Sequence, residues 1–183
     1  MHDAETMSGR EVERCIARLA HEVSEQLGEP DQYALVGIVT GGQGLAERLA
    51  DAIFDLDGVR PKVGSVDITL YRDDLYTGLE KPILGETRLP FDLAGLGVVL
   101  VDDVLFTGRT VRAALDEIMD YGRPRWVKLA VLVDRGHREL PIAADFVGRT
   151  LVTRLSDQVE VRLRAGDQGA GGVEIRVAKG EGP

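Results

Sequence analysis

Apolar positions along this chain fall into two rhythms. Val12, Cys15, Ile16, Leu19 and Val23 recur every three or four residues, which predicts an amphipathic helix over residues 8–27. Ser8, with Glu11 three positions on, has the spacing of a capping box, and Gly28 and Pro30 supply the stop. Arg10, Arg14, Arg18 and His21 gather on the opposite face of that helix. Tyr33 to Val39 is a continuous apolar run, read as a buried strand, and it leads directly into Thr40-Gly41-Gly42-Gln43-Gly44. Leu45, Leu49, Ala52 and Ile53 then open a second helix, and Val63 to Leu70 reads as a second strand. Val98 to Val101 is a third buried strand, closed by Asp102 and Asp103, and Val111, Ala114, Leu115, Ile118 and Met119 predict the helix after it. Trp126 to Asp134 is another buried strand, Arg135 to Pro141 a charged turn, and Phe146-Val147 a short strand. Val159–Leu163 and Val173–Val177 alternate around a glycine-rich turn and predict a hairpin.

Strands separated by helices predict one α/β domain over residues 1–183. A mostly parallel central sheet is flanked by helices, with the β-hairpin at its C-terminal end. The strand order stays open at this level. The stretch 71–90 is polar, carries Gly78, Pro82 and Gly85, and is longer than an ordinary connection, so it is expected to be a functional or flexible loop.

Charge narrows the choice of partners. With 22 Lys and Arg against 31 Asp and Glu, the net charge is −9, so nucleic acid is not attracted by the chain as a whole and any RNA site must be a local basic patch. Cys15 is the only cysteine, which excludes an internal disulfide and a cysteine-built zinc site; its place on the apolar stripe makes it a core residue. No apolar run of about 18 residues predicts a membrane span, and residues 1–5 are polar with no signal-peptide pattern, so a cytoplasmic location is expected.

The chemistry concentrates in residues 98–110. A buried strand delivers two carboxylates, then Val104, Leu105, Phe106, Thr107, Gly108, Arg109 and Thr110 turn into a helix. Unpaired amides at a helix start favour a phosphate, and Gly108 permits close backbone approach. Asp102 and Asp103 repel phosphate and suit a sugar diol beside it. A phosphorylated ribose is the ligand this order predicts, against an ordinary βα turn with solvated aspartates. The Thr40–Gly44 turn has the same form, and a second anion site and a plain tight connection are equally good readings of it.

Residues 98–110 resemble the 5-phosphoribosyl-1-pyrophosphate (PRPP) motif of type I phosphoribosyltransferases. Ser65–Asp74, Glu86–Asp92 and Leu132–Ile142 are similar to the PyrR family, the pyrimidine-operon attenuation regulators that are also uracil phosphoribosyltransferases. The resemblance implies that uracil and PRPP give UMP and pyrophosphate, with Mg2+ bound mainly through PRPP and no direct protein ligation of a metal. It implies that Thr107 to Thr110 hold the 5-phosphate, that Asp102 and Asp103 meet the ribose, and that Thr40, Gly41 and Gly42 form the pyrophosphate loop. Arg72 would act from a hood over PRPP, and Val133, Asp134 and Arg135 would border the base. It further implies a homodimer or higher homo-oligomer that binds a leader mRNA hairpin through Arg14, Arg18, His21, His137, Arg138 and Arg149, strengthened by UMP.

The chain departs from that family at several positions. Gly41 stands where the pyrophosphate loop has an arginine; Ala17 and Ala143 stand where the RNA surface often has Thr and Arg; and Thr153-Arg154-Leu155-Ser156 replaces Thr-Ser-Arg-Ser. A catalytically weak PRPP- or nucleotide-binding protein without RNA binding is the alternative.

Overall fold

The computed structural model describes residues 7–69 and 86–163, and the backbone of 174–178. Helix α1 (Gly9–Leu27) is closed by the predicted capping box: the Ser8 hydroxyl accepts from the Glu11 amide while the Glu11 carboxylate accepts from the Ser8 amide. Gly28, at φ 72°, ends it by donating its amide to the Ser24 carbonyl. After a single 3-10 turn (Pro30–Gln32) come β1 (Tyr33–Ile38), α2 (Gly41–Asp57) and β2 (Lys62–Val66). Next are β3 (Gly97–Leu105), α3 (Arg109–Tyr121), β4 (Trp126–Asp134) and β5 (Phe146–Thr150), and finally β6 (Gln158–Arg162) and β7 (Glu174–Ala178).

The five strands β2-β1-β3-β4-β5 form one sheet in that order, all neighbours parallel. β6 and β7 pair antiparallel in a separate two-stranded sheet, as the alternation predicted. Side chains of alternate residues separate the core into two halves. Tyr33, Leu35, Val99 and Val101 pack with α1 and α2 on one face. Ala34, Val36, Val98 and Leu100 pack with α3 on the other. The chain order places α2 and α3 on opposite faces, with β1 and β3 adjacent between them. A sheet of this order opens a crevice beyond the carboxyl ends of those two strands, where ligands of doubly wound folds bind.

Four expectations need correction. β3 does not stop at the aspartates: Asp102 pairs with Val131 and Leu105 with Asp134, so both carboxylates are inside the strand. β2 ends at Val66 rather than Leu70, because Asp67 turns back to accept from the Thr69 amide and hydroxyl. Met119 is 53% exposed, since α3 buries the stripe Val111, Ala114 and Ile118, which leaves residue 119 outside. Helix α2 begins at Gly41, so the glycine-rich turn is already its first turn. Of the loop expected over 71–90, residues 71–85, with Arg72, lie outside the described residues. Its return is pinned: Ser65 and Arg88 exchange backbone hydrogen bonds at 2.9 and 2.8 Å, and the Thr87 hydroxyl accepts from the Asp67 amide and donates to Glu117.

Candidate functional site

Two helix starts face the crevice without side-chain caps. Thr40 gives α2 none, and Gly108, at φ 92°, gives α3 none. The Thr107 hydroxyl reaches only the Arg109 amide, at 3.3 Å. Each first turn therefore presents backbone donors and the positive end of a helix dipole to the same sheet edge.

The glycines explain how α2 comes so close. A Cβ on Gly42 would overlap the Val101 carbonyl, and one on Gly37 would stand 2.5 Å from the Gln43 Cα. Backbone is packed directly on backbone, so the first turn of α2 is pressed against the ends of β1 and β3. Gly41 lies against the Asp103 carboxyl, whose Oδ1 would be 2.6 Å from an added Cβ. The position that lacks an arginine here is thus occupied by an anion from β3. Thr40, Gly41, Gly44 and Asp103 share a cavity of about 390 Å³ with Val161, Arg162 and Leu163 of the hairpin.

Alternation along β3 turns Asp103 toward α2 and Asp102 toward the α3 face. Asp102 is 6% exposed. Burial first, and then the neighbouring Asp103 charge, pushes its carboxyl well above the ordinary value of 3.8. Asp102 accepts from the Asp103 amide at 2.9 Å, and Asp103 from the Val104 amide at 2.8 Å. Two carboxylates, with no cluster of three or more His, Cys, Asp or Glu side chains among the described residues, suit Mg2+ only when substrate oxygens complete its shell.

His137 and Arg138, expected at an RNA surface, lie in a segment that braces the Thr107–Thr110 turn. The Glu139 and Leu140 amides donate to the Thr107 carbonyl at 2.9 and 3.2 Å, and Arg109 pairs with Glu139 at 2.5 Å. Arg138 donates to the carbonyls of Phe106, Gly136 and Ile142 and to the Asp134 carboxylate. Burial alone would raise the Asp134 carboxyl, but the Arg138 hydrogen bond, the Gly136 amide and the Arg138 charge hold it below its ordinary value. The guanidinium of Arg138 is therefore directed inward. His137, at φ 61°, approaches the Thr153 carbonyl at 2.8 Å and packs edge-on to Phe106.

Of the three residues expected at the base, Val133 is fully buried in the core and Asp134 is held by Arg138. Arg135 lines a second cavity, about 690 Å³, with Phe106 and residues 155–160. Sequence reasoning had no signal for Asp157, which lines it too. On α1, Arg14 and His21 are exposed. Arg18 pairs with Glu22 and donates to the Val147 and Gly148 carbonyls, tying α1 to β5. Glu11, whose carboxyl is lowered chiefly by the Ser8 hydrogen bonds, senses both Arg14 and Arg149. Arg14, Arg18 and Arg149 therefore share one neighbourhood where α1 meets β5.

A family model described as "Phosphoribosyl transferase domain" matches residues 7–162. A protein named "Bifunctional protein PyrR" from Chloroflexus aurantiacus is 55% identical over 166 residues, covering 91% of each chain. One of the same name from Thermus thermophilus is 54% identical over 90% of this chain and 91% of its own. Among solved structures, a hypoxanthine phosphoribosyltransferase from Staphylococcus aureus superposes with a TM-score of 0.64 at 16% identity, covering 82% of this chain and 80% of its own. That likeness is one of fold.

Proposed function

Since the chain belongs to the phosphoribosyltransferase family and, within it, to the PyrR group, we propose that it transfers the phosphoribosyl group of PRPP to uracil. The observation that carries this reading is the pair of uncapped helix starts, α2 and α3, flanking the Asp102–Asp103 pair at one sheet edge. PRPP has that shape: a diol-bearing ribose with one anionic group at each end.

In this reading the turn Thr107–Thr110 holds the 5-phosphate, and the first turn of α2, with Thr40, Gly41 and Gly42, faces the pyrophosphate. The bond from ribose C1 to pyrophosphate breaks, and uracil N1 forms the new bond while giving up its proton. Positive charge builds on the ribose as in glycoside cleavage, and the Asp103 carboxylate stabilises it. Mg2+ bound through PRPP oxygens beside Asp102 and Asp103 would supply neutralisation of the leaving group. No covalent nucleophile is needed. Without an arginine at position 41, the pyrophosphate rests on backbone donors, which lowers turnover by about one to two orders of magnitude relative to a loop that has one.

The second activity is RNA binding that responds to UMP. Arg14, His21 and Arg149 form its surface on α1 and β5, with Arg18 locking the two elements together, and a homo-oligomer would extend that surface. Purified protein given uracil, PRPP and Mg2+ should release UMP and pyrophosphate in equal amounts; no product above background refutes the enzymatic reading. A pyrimidine leader hairpin titrated with and without UMP, at two salt concentrations, tests the regulator. Equal shifts with and without the nucleotide refute it.

A further inference from the structure

Strand β6 contributes to both cavities, and the two residues through which it does so are tied to each other. Arg162 lines the smaller cavity, with Thr40, Gly41 and Asp103. Glu160 lines the larger one, with Phe106 and Arg135. The Arg162 Nε donates to Glu160 Oε1 at 2.9 Å and its Nη2 to Oε2 at 3.0 Å, so the pair is bidentate. Val159 and Val161 pack against the core, and alternation sets Glu160 and Arg162 on the other face of the strand. Just beyond it, Leu163 Cδ1 would be 3.9 Å from a Cβ added at Gly44, which seats the end of β6 beside the first turn of α2. Arg162 therefore stands at the rim of its cavity, where a change of side-chain rotamer, with no movement of the strand, redirects its guanidinium.

The smaller cavity is short of positive charge. The Asp103 carboxyl lies against Gly41, and the first turn of α2 offers only backbone N–H groups and the partial charge of a helix start. A diphosphate brings several negative charges to that place. Among the described residues lining the cavity, Arg162 is the one cation. Its pair with Glu160 is not a firm one. The two side chains are 47% and 56% exposed, and an exposed ion pair shifts an equilibrium by about fivefold at most. The planar fork of a guanidinium matches the paired oxygens of a phosphate as well as those of a carboxylate.

We propose that Glu160 holds Arg162 in reserve and that a ligand carrying a diphosphate takes the guanidinium from it. This rests on the reading of the smaller cavity as the pyrophosphate end of the PRPP site. The exchange makes Arg162 a sensor of the diphosphate itself. PRPP engages it; UMP, whose only phosphate is at the other end of the ribose, leaves it on Glu160. The exchange also fixes the sign of the Glu160 contribution. Its carboxylate competes with the ligand, so the apparent affinity for PRPP is lowered by the fraction of molecules in which Arg162 is held back.

Calorimetry on the whole protein, with PRPP and with UMP in the presence of Mg2+, tests the exchange. Arg162→Met should weaken PRPP binding by about 10- to 100-fold and leave UMP within about twofold. Arg162→Lys should recover only part of the loss, because an ammonium cannot form the paired contact. Glu160→Gln should tighten PRPP binding by about two- to fivefold with UMP unaltered. In the double variant that gain should vanish, since it is expressed only through Arg162. A gain in affinity does not arise from a poorly folded chain, so Glu160→Gln decides the matter even where Arg162→Met fails to fold. PRPP bound equally by wild type and Arg162→Met, an equal loss of PRPP and UMP in that variant, or PRPP binding unaltered or weakened in Glu160→Gln overturns the proposal and leaves the phosphoribosyl site standing. A wild type that binds neither ligand overturns the phosphoribosyl reading as well.

Discussion

Three glycines in one turn of α2 separate close packing from open space, and a series of alanines should read the difference. At Gly42 an added Cβ would be 2.9 Å from the Val101 carbonyl carbon and 3.1 Å from the Asp102 Cα, with the Val101 oxygen nearer still. Carbon atoms rest at about 3.5–4.0 Å, so either α2 or the end of β3 must move by roughly half to one ångström. Neither can yield locally, because β3 is hydrogen-bonded on both sides. Overpacking of this kind costs about 1–3 kcal/mol, which in a chain of this size lowers the melting temperature by about 2–12 °C. The same shift moves the α2 amides relative to Asp103, and a displacement near 1 Å at a reacting centre costs about 10²-fold in rate. At Gly44 the nearest atom to a new Cβ is Leu163 Cδ1 at 3.9 Å, an ordinary contact. Gly44→Ala should therefore gain about 0.4–1 kcal/mol from the unfolded state and keep its activity. At Gly41 the three atoms nearest a new Cβ all belong to the Asp103 carboxyl, so Gly41→Ala should push that carboxyl off the Val104 amide and change PRPP affinity without moving the backbone of β3. Melting curves and PRPP titrations on the three proteins check the series. If Gly42→Ala melts and binds like Gly44→Ala, the backbone-on-backbone contact at this crevice is wrong.

Other consequences are nearer the surface of the argument. Ser8→Ala should cost about 1 kcal/mol, seen in chemical denaturation, with no change in nucleotide binding. Asp102 holds its proton in the folded state above the pH at which the unfolded chain loses it, so its contribution to stability falls as pH rises from about 3.8. Asp102→Asn should consequently melt above wild type at pH 8, with the gap shrinking toward pH 4, while UMP formation is lost; a pH-independent gap contradicts this. Arg138→Met strands the Asp134 carboxylate and three carbonyls, and should cost about 2–3 kcal/mol and weaken PRPP binding through the turn that Thr107 begins. A loss confined to RNA binding, with stability intact, would mean that Arg138 faces outward after all.

Local pattern was enough for the elements and not for their assembly. The Ser8–Glu11 box, the buried runs of β1 and β4, and the terminal hairpin each announce themselves within a few residues. The order β2-β1-β3-β4-β5 does not, since it depends on pairings such as Val36 with Leu100 across more than sixty positions. The aspartates seemed to end β3 because carboxylates are rare inside strands. In the fold, β4 continues pairing past them to Asp134, which holds Asp102 in the sheet and accounts for its burial. The 135–142 turn is charged, and charge in a turn ordinarily means solvent. Arg138 instead meets four internal acceptors supplied by residues 106, 134, 136 and 142, the first of them in the turn after β3 and the second at the end of β4. Asp157 had no local signature, because what distinguishes it is the company of Arg135, twenty-two positions away.

The most direct test is a crystal structure with UMP. The 5-phosphate should lie on the amides of Thr107 to Thr110, the ribose hydroxyls should meet Asp102 and Asp103, and the uracil should lie beside Phe106 and Arg135. A nucleotide bound elsewhere, or bound here with its phosphate away from the start of α3, would contradict the account at its base.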